Sequence, residues 1–295
     1  MSDFCWGTIV ANHFIGSRFF QGIRVTYWIF VALVLIGIIV WLVLPGYRLK
    51  KAIEAPFPEQ WVSIVERNIA IYSSLPKALR MQLRKLIKQF LHQKNFTGAG
   101  GLEITDEIRV TIAAEACMLL LNRKTHVYPS LRYIIVYPTA FVVDRPQWDV
   151  SGVVSEGRKG LLGESWSTGK VILAWDNVLH GSSNFADGQN VVLHEFAHQL
   201  DSESGSTNGA PILVGQNCLR TWAATLSEEF DELQRDAWKG KRSLIDHYGA
   251  TNPAEFFAVA TETFFEKPTQ MAEHHSELFD ILKCYYRLDP REWSS

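Results

Sequence analysis

The chain has 295 residues, of which 47% are hydrophobic and 20% charged, with a formal net charge of -2. These values suit one folded domain of somewhat over two hundred residues plus an attachment. Near-neutral charge, without a basic stripe interleaved with aromatics, argues against a nucleic-acid binder.

In chain order, residues 1–24 form an aromatic-rich leader (Phe4, Trp6, Phe14, Phe19, Phe20) for which no function is read. Residues 25–44, VTYWIFVALVLIGIIVWLVL, carry no charge and match the ~30 Å of a hydrocarbon core, predicting one transmembrane helix. Tyr27 and Trp28 at one end, and Trp41 and Tyr47 at the other, suit the two interfaces. The long leader and the Pro45-Gly46-Tyr47 sequence do not fit a cleaved signal peptide. Arg18 and Arg24 precede the span, whereas Arg48, Lys50 and Lys51 follow it, so the positive-inside rule points to a cytoplasmic C-terminal domain. Residues 45–57 read as a basic juxtamembrane linker and 58–295 as the folded domain. Cys5, Cys117, Cys218 and Cys284 are widely spaced, which predicts reduced, mostly buried thiols rather than a disulfide framework.

Within the domain, Trp61 to Ser73 shows helical spacing, and Leu75-Pro76 opens a second helix with an apolar stripe from Leu79 to Leu91. Its other face carries Lys77, Arg80, Arg84, Lys85 and Lys88, read as a solvated face. Gly98 to Gly101 break the chain, and Thr105 or Asp106 caps a third helix running to about Leu121. Tyr133–Tyr137 predicts a strand continued by Phe141–Val143, and Val171–Trp175 predicts another. Asp187 is taken as the cap of the helix that follows.

That helix, VVLHEFAHQLD from Val191 to Asp201, is where the chemistry concentrates. His194 and His198 stand one turn apart on one face, the spacing that lets two imidazoles hold one Zn²⁺. Glu195, offset by ~100°, is suited to act as general base on a zinc-bound water. The His-Glu-x-x-His pattern fixes only three positions and also arises by chance, but the apolar residues around it predict burial, and buried polar groups need partners. A zinc site of this type takes a third protein ligand and leaves a fourth position for water. Asp201, His180, His247, Glu255 and Glu262 are the candidates. Asp201, at the helix end, is better suited to support than to ligation. Glu262 lies on nearly the same face as Glu255 and is suited to orienting a ligand or binding a substrate amine. Glu255 has the best local case, since Asn252-Pro253 is a strong helix start that fixes it in a first turn among apolar residues.

HEFAHQLD, followed by YGATNPAEFFAVATETFF, resembles the Mlc titration factor A family of zinc-dependent peptidases. The similarity extends through LPKALRMQLRKLIKQFL, YIIVYPTAFVVD and GKVILAWDNV, and runs from about Phe57 to the C-terminal RLDP. The resemblance implies an α+β, zincin-like domain of the gluzincin clan, similar to the catalytic domain of anthrax lethal factor, with a small sheet and an HExxH helix. It further implies His194, His198 and Glu255 as zinc ligands, Glu195 as general base, and Tyr248 as a donor to the oxyanion. A peptide or protein substrate is expected, and the family suggests a transcriptional repressor as partner. The N-terminal anchor departs from the soluble family members and places the expected enzyme at a bacterial inner membrane. The alternative expectation is a binding protein that sequesters a regulator, with the metal site secondary.

Overall fold

The computed structural model of the chain describes residues 7–123, 126–139, 169–213 and 216–293, and the side chains within them except at 7–27, 29 and 216–220. The chain divides into two compact units, Met1–Glu54 and Ala55–Ser295. In the first, α1 runs unbroken from Gly7 to Glu54 with Pro45 inside it, so helix continues where the sequence predicts a linker. Pro45 removes one backbone bond, and Leu49, Lys50, Lys51, Ala52 and Glu54 are strong helix formers that carry the helix on. Phe30–Glu54 is long and apolar enough, by length and composition, to cross a membrane. Its apolar side chains, Trp41 and Leu42 among them, are exposed.

The second unit is mainly helical with one small sheet. It contains α2 (Glu59–Asn68), α3 (Lys77–Gln93), β1 (Asn95–Gly98), α4 (Asp106–Met118), β2 (Tyr133–Tyr137), β3 (Lys170–Ala174) and α5 (Trp175–Ser183). These are followed by α6 (Val191–Ser202), α7 (Gln216–Lys239), α8 (Pro253–Glu266), α9 (Pro268–His274) and α10 (Ser276–Tyr286). The sheet is parallel in the order β1-β2-β3, with Asn95 opposite Tyr133 and Tyr133 opposite Lys170. Ile134, Val136, Val171 and Leu173 alternate into the core, as a strand with one buried face requires. Among the described residues β3 forms one edge; the expected continuation at Phe141–Val143 lies outside them.

α3 is amphipathic as its pattern predicts, with Leu79, Leu83, Ile87, Phe90 and Leu91 turned inward. The three helices behind it differ in kind. α4, capped by the Thr105 hydroxyl on the Ile108 N–H, has Ala113, Ala114, Ala116 and Cys117 fully buried. α6 is buried from Val192 to Asp201 and α8 from Ala254 to Glu266. Helices buried on all sides are centres of a core. Phe196 of α6 packs against Phe90 of α3 and Tyr128, at ring-centroid distances of 5.7 and 4.8 Å, and each such burial stabilises by ~1.5–3 kcal/mol. Cys117 is a free, buried thiol, as expected, whereas Cys284 is disulfide-bonded, against the expectation of reduced thiols throughout. Pairing depends on Cβ geometry in the fold, which spacing along the chain does not reveal.

Glu115, on α4, is fully buried and accepts one hydrogen bond, from Asn190 Nδ2 at 2.7 Å. Burial pushes its carboxyl up to about 8 against the opposing pull of that bond, from an ordinary value of 4.5. Because the folded value lies above the unfolded one, the neutral carboxyl's stabilisation is complete below 4.5 and is lost as pH rises through 8. Glu115→Gln is therefore expected to gain stability over wild type as pH rises from 5 to 8, by up to a few kcal/mol. Thermal unfolding of both proteins at each pH checks this; a difference that stays constant with pH overturns it.

Candidate metal centre

The helix bearing the two histidines starts one residue after Asn190, whose Oδ1 accepts from the backbone N–H groups of Val192 and Leu193 at 3.1 and 3.0 Å. Asp187, expected as the cap, lies too early in the chain and instead accepts from Gln189 N–H and Asn184 Nδ2. The Asn190 backbone N–H donates to Glu262 Oε2 at 2.5 Å. Asn190 thus joins α4, α6 and α8.

α8 begins as the sequence predicts. Asn252 Oδ1 accepts from Ala254 and Glu255 N–H, both at 3.0 Å, and Pro253 stands at the first helical position. This cap fixes Glu255 in the first turn, facing α6. The loop leaving α6 is tied to the same place. Asp201 Oδ2 accepts from Gly209 N–H at 2.7 Å, and Gly209 sits at φ +78° directly against Pro253. A Cβ on Gly209 would stand 2.5 Å from the Pro253 carbonyl oxygen.

Three donor atoms converge between the helices. His194 Nε2 lies 3.0 Å from Glu255 Oε2, His198 Nε2 lies 3.4 Å from that oxygen, and the two Nε2 atoms are 3.2 Å apart. These three atoms, each able to serve as a metal ligand, all lie within 4.8 Å of one another. His194 Nδ1 is 2.7 Å from Glu262 Oε1. Glu195, also fully buried, follows His194 on α6, and its charge acts on both His194 and Tyr248. Tyr248 stands at the rim, 38% exposed, with its ring 5.9 Å from that of His194. Its backbone is held by Asp246 Oδ1, which accepts from Tyr248 N–H at 2.8 Å, and by the Thr251 hydroxyl, which donates to the Tyr248 carbonyl.

The other third-ligand candidates fall elsewhere. His180 is exposed on the last turn of α5, His247 lies in the short turn His247–Ala250 outside the cluster, and Asp201 supports the Gly209 loop. Glu262 reaches His194 by its far nitrogen. Asn190 and Glu115 were not singled out from the sequence; an Asn immediately before an apolar run was a readable cap signal, while nothing local marked Glu115.

The donor set fits a cation. With Nδ1 facing a carboxylate oxygen, His194 has its other nitrogen aimed at a second imidazole nitrogen and a second carboxylate. Nitrogen lone pairs and a carboxylate oxygen packed this closely need a proton or a metal ion between them. The titration behaviour agrees. Burial would depress His194, but bonds to Glu255 and Glu262 outweigh it and hold its imidazolium well above the ordinary range. Burial pulls His198 down to about 4. Burial would raise Glu255, but its bonds from His194 and His198 hold it at about 2. Positive charge is favoured at this point, and two imidazoles with one carboxylate form a set suited to zinc.

A mainly helical domain with such a cluster on two buried helices has the make-up of a metal-dependent hydrolase. The family of glucose-regulated metallo-peptidases M90 matches residues 46–287, and this chain belongs to that family. An uncharacterized protein of Synechocystis is 40% identical over 245 residues, covering 83% of this chain and 89% of its own length. Mlc titration factor A of Klebsiella pneumoniae is 31% identical over 224 residues, 75% of this chain and 84% of its own. Mlc titration factor A of Salmonella agona is 31% identical over 245 residues, with 82% and 91% covered.

Gly209→Ala is expected to strain a left-handed backbone position and push the Pro253 end of α8 away, lowering stability by more than ~1 kcal/mol and weakening metal uptake. Thermal unfolding and zinc titration of the variant check both effects. Wild-type values in both would show that the loop does not support Glu255.

Proposed function

We propose that this chain is a membrane-anchored, zinc-dependent peptidase with a zincin-like catalytic domain spanning 58–295. The observation that carries this reading is the meeting of His194, His198 and Glu255 donor atoms on two buried helices, beside Glu195. Membership of a metallo-peptidase family supports the reaction class. His194, His198 and Glu255 would hold a zinc ion, which would supply Lewis acidity toward the scissile carbonyl and toward water.

The chain's own groups do the rest. Glu195 takes a proton from the attacking water and passes it to the leaving amine. Tyr248 donates its phenolic hydrogen to the carbonyl oxygen as negative charge grows there, a contribution of about 3 kcal/mol for donors of this kind. Burial first, then the charges of Glu255 and Glu195, push the Tyr248 phenol up to about 12, so its hydrogen is in place at neutral pH. Tyr248, at 38% exposure, is the member of the site that a substrate meets first.

Glu195→Gln is expected to keep zinc and to lose roughly 10²–10⁴-fold in peptide turnover. Chelation should abolish wild-type turnover and added zinc restore it. Assay of a peptide mixture with the full chain in detergent checks this, and turnover that survives in Glu195→Gln overturns the base assignment. The name Mlc titration factor A, borne by relatives, favours a second reading in which this chain captures a regulator. Under that reading Glu195→Gln captures its partner as wild type does, and no cleavage is detected.

The apolar stretch Phe30–Glu54 supports anchoring in a bacterial inner membrane. Removing residues 1–54 is expected to move the protein from the membrane to the soluble fraction; retention in the membrane overturns the anchor. Arg48, Lys50 and Lys51 favour a cytoplasmic catalytic domain, while the Cys284 disulfide favours an oxidising compartment. A C-terminal reporter active only in the cytoplasm separates the two, and its activity is the expected outcome.

A further inference from the structure

Glu262 stands seven residues past Glu255 on α8, on nearly the same face, and its two carboxylate oxygens are committed to different partners. Oε1 meets His194 Nδ1 at 2.7 Å, and Oε2 accepts from the Asn190 backbone N–H at 2.5 Å. We infer that Glu262 is a positioning residue for the metal centre. By accepting from His194 Nδ1 it reserves Nε2 for the ion, and by accepting from Asn190 it holds the start of α6 at the depth where that nitrogen meets His198 and Glu255. The inference rests on the metal-centre reading given above.

The physical case is one of donors and acceptors. With an ion on Nε2 the imidazole would be neutral with its one N–H on Nδ1, and the partner of Nδ1 decides how firmly that state is held. A carboxylate only accepts, so Nδ1 must be the donor. The Asn190 backbone N–H has no freedom either, because the same residue caps α6 through Oδ1 and is anchored to Glu115 through Nδ2. One carboxylate therefore serves two obligatory donors from one helix end.

Glu262→Gln makes the two demands incompatible, since an amide has one oxygen and one NH2. If its oxygen stays with Asn190, the NH2 faces His194 Nδ1 and drives the ring hydrogen to Nε2, the atom that should hold metal. If its oxygen stays with His194, the NH2 meets the Asn190 N–H and the first turn of α6 shifts. Both arrangements weaken the centre. Glu262→Asp keeps an acceptor-only group on a shorter arm and so preserves the ring hydrogen at Nδ1.

The test uses the full chain in detergent, with zinc affinity read by competition with a chelator. Glu262→Gln is expected to bind zinc ~10–100-fold more weakly than wild type. In the zinc-loaded wild type, the His194 Nδ1–H should give a low-field proton resonance that Glu262→Gln loses and Glu262→Asp retains. Glu115→Gln, whose Oε1 still accepts from Asn190 Nδ2 and which does not reach His194, should leave both readings unchanged. If Glu262→Gln does not fold, Glu262→Asp carries the test, with an affinity between wild type and His194→Ala expected. Wild-type affinity and an intact resonance in Glu262→Gln, or wild-type affinity in Glu262→Asp where Gln does not fold, overturn the inference while leaving the metal centre standing. If wild type takes up no zinc, or His194→Ala binds it equally well, the metal-centre reading falls and this inference with it.

Discussion

Charged groups buried on helices that have no solvent-facing side must be satisfied by one another, and this constraint shapes the domain. α6 and α8 between them carry His194, Glu195, His198, Glu255, Glu262 and Glu266, all buried. An uncompensated buried charge costs several kcal/mol, comparable with a whole domain's net stability. The helices therefore cannot slide or rotate independently. Glu255 and Glu262 grip His194 from its two ring nitrogens, and Glu266 Oε2 accepts from the Gly188 and Gln189 N–H groups just before α6. Three carboxylates on successive stretches of one helix thus set the depth and register of the other.

Helix starts are where this register is anchored. Thr105, Asn190 and Asn252 each turn a side-chain oxygen onto the first turn of their helix, which fixes α4, α6 and α8 end-on. Asn190 has the fullest set of bonds, reaching Glu262 by its backbone and Glu115 by its amide. The candidate centre is consequently built on packed helices, with Tyr248 as the member on a turn. A rigid base with one adaptable rim residue suits a site that must hold an ion tightly and still admit a substrate backbone.

Much of the arrangement was legible because its signals are local. The His-Glu-x-x-His spacing, the Asn252-Pro253 start, the Thr105 cap and the alternation of Tyr133–Tyr137 each lie within a few residues, and each has a matching element. What escaped depends on partners far along the chain. β1 is four residues long and owes its existence to pairing with β2, and it ends on Gly98, where the expected glycine break begins. α5 follows β3 without an intervening loop, so Trp175, the expected end of the strand, is the first residue of a helix. Glu115 sits among alanines with nothing to distinguish it from a stray surface residue until Asn190 arrives from 75 positions away. Asp187 carries a cap-forming side chain, but the helix starts at Val191 and the adjoining Asn190 caps it.

The distances along the chain also bear on how the molecule comes into being. His194 finds Glu255 and Glu262 at sequence separations of 61 and 68, and Glu115 finds Asn190 at 75. During synthesis α1 and the small sheet are made long before α8 emerges, and contacts this remote form late. The nascent polypeptide therefore adds 61 residues after His194 before the first of its two carboxylate neighbours is in place. Any chemistry belonging to this cluster switches on only near the end of translation, when the growing chain is already tied to its own first helix.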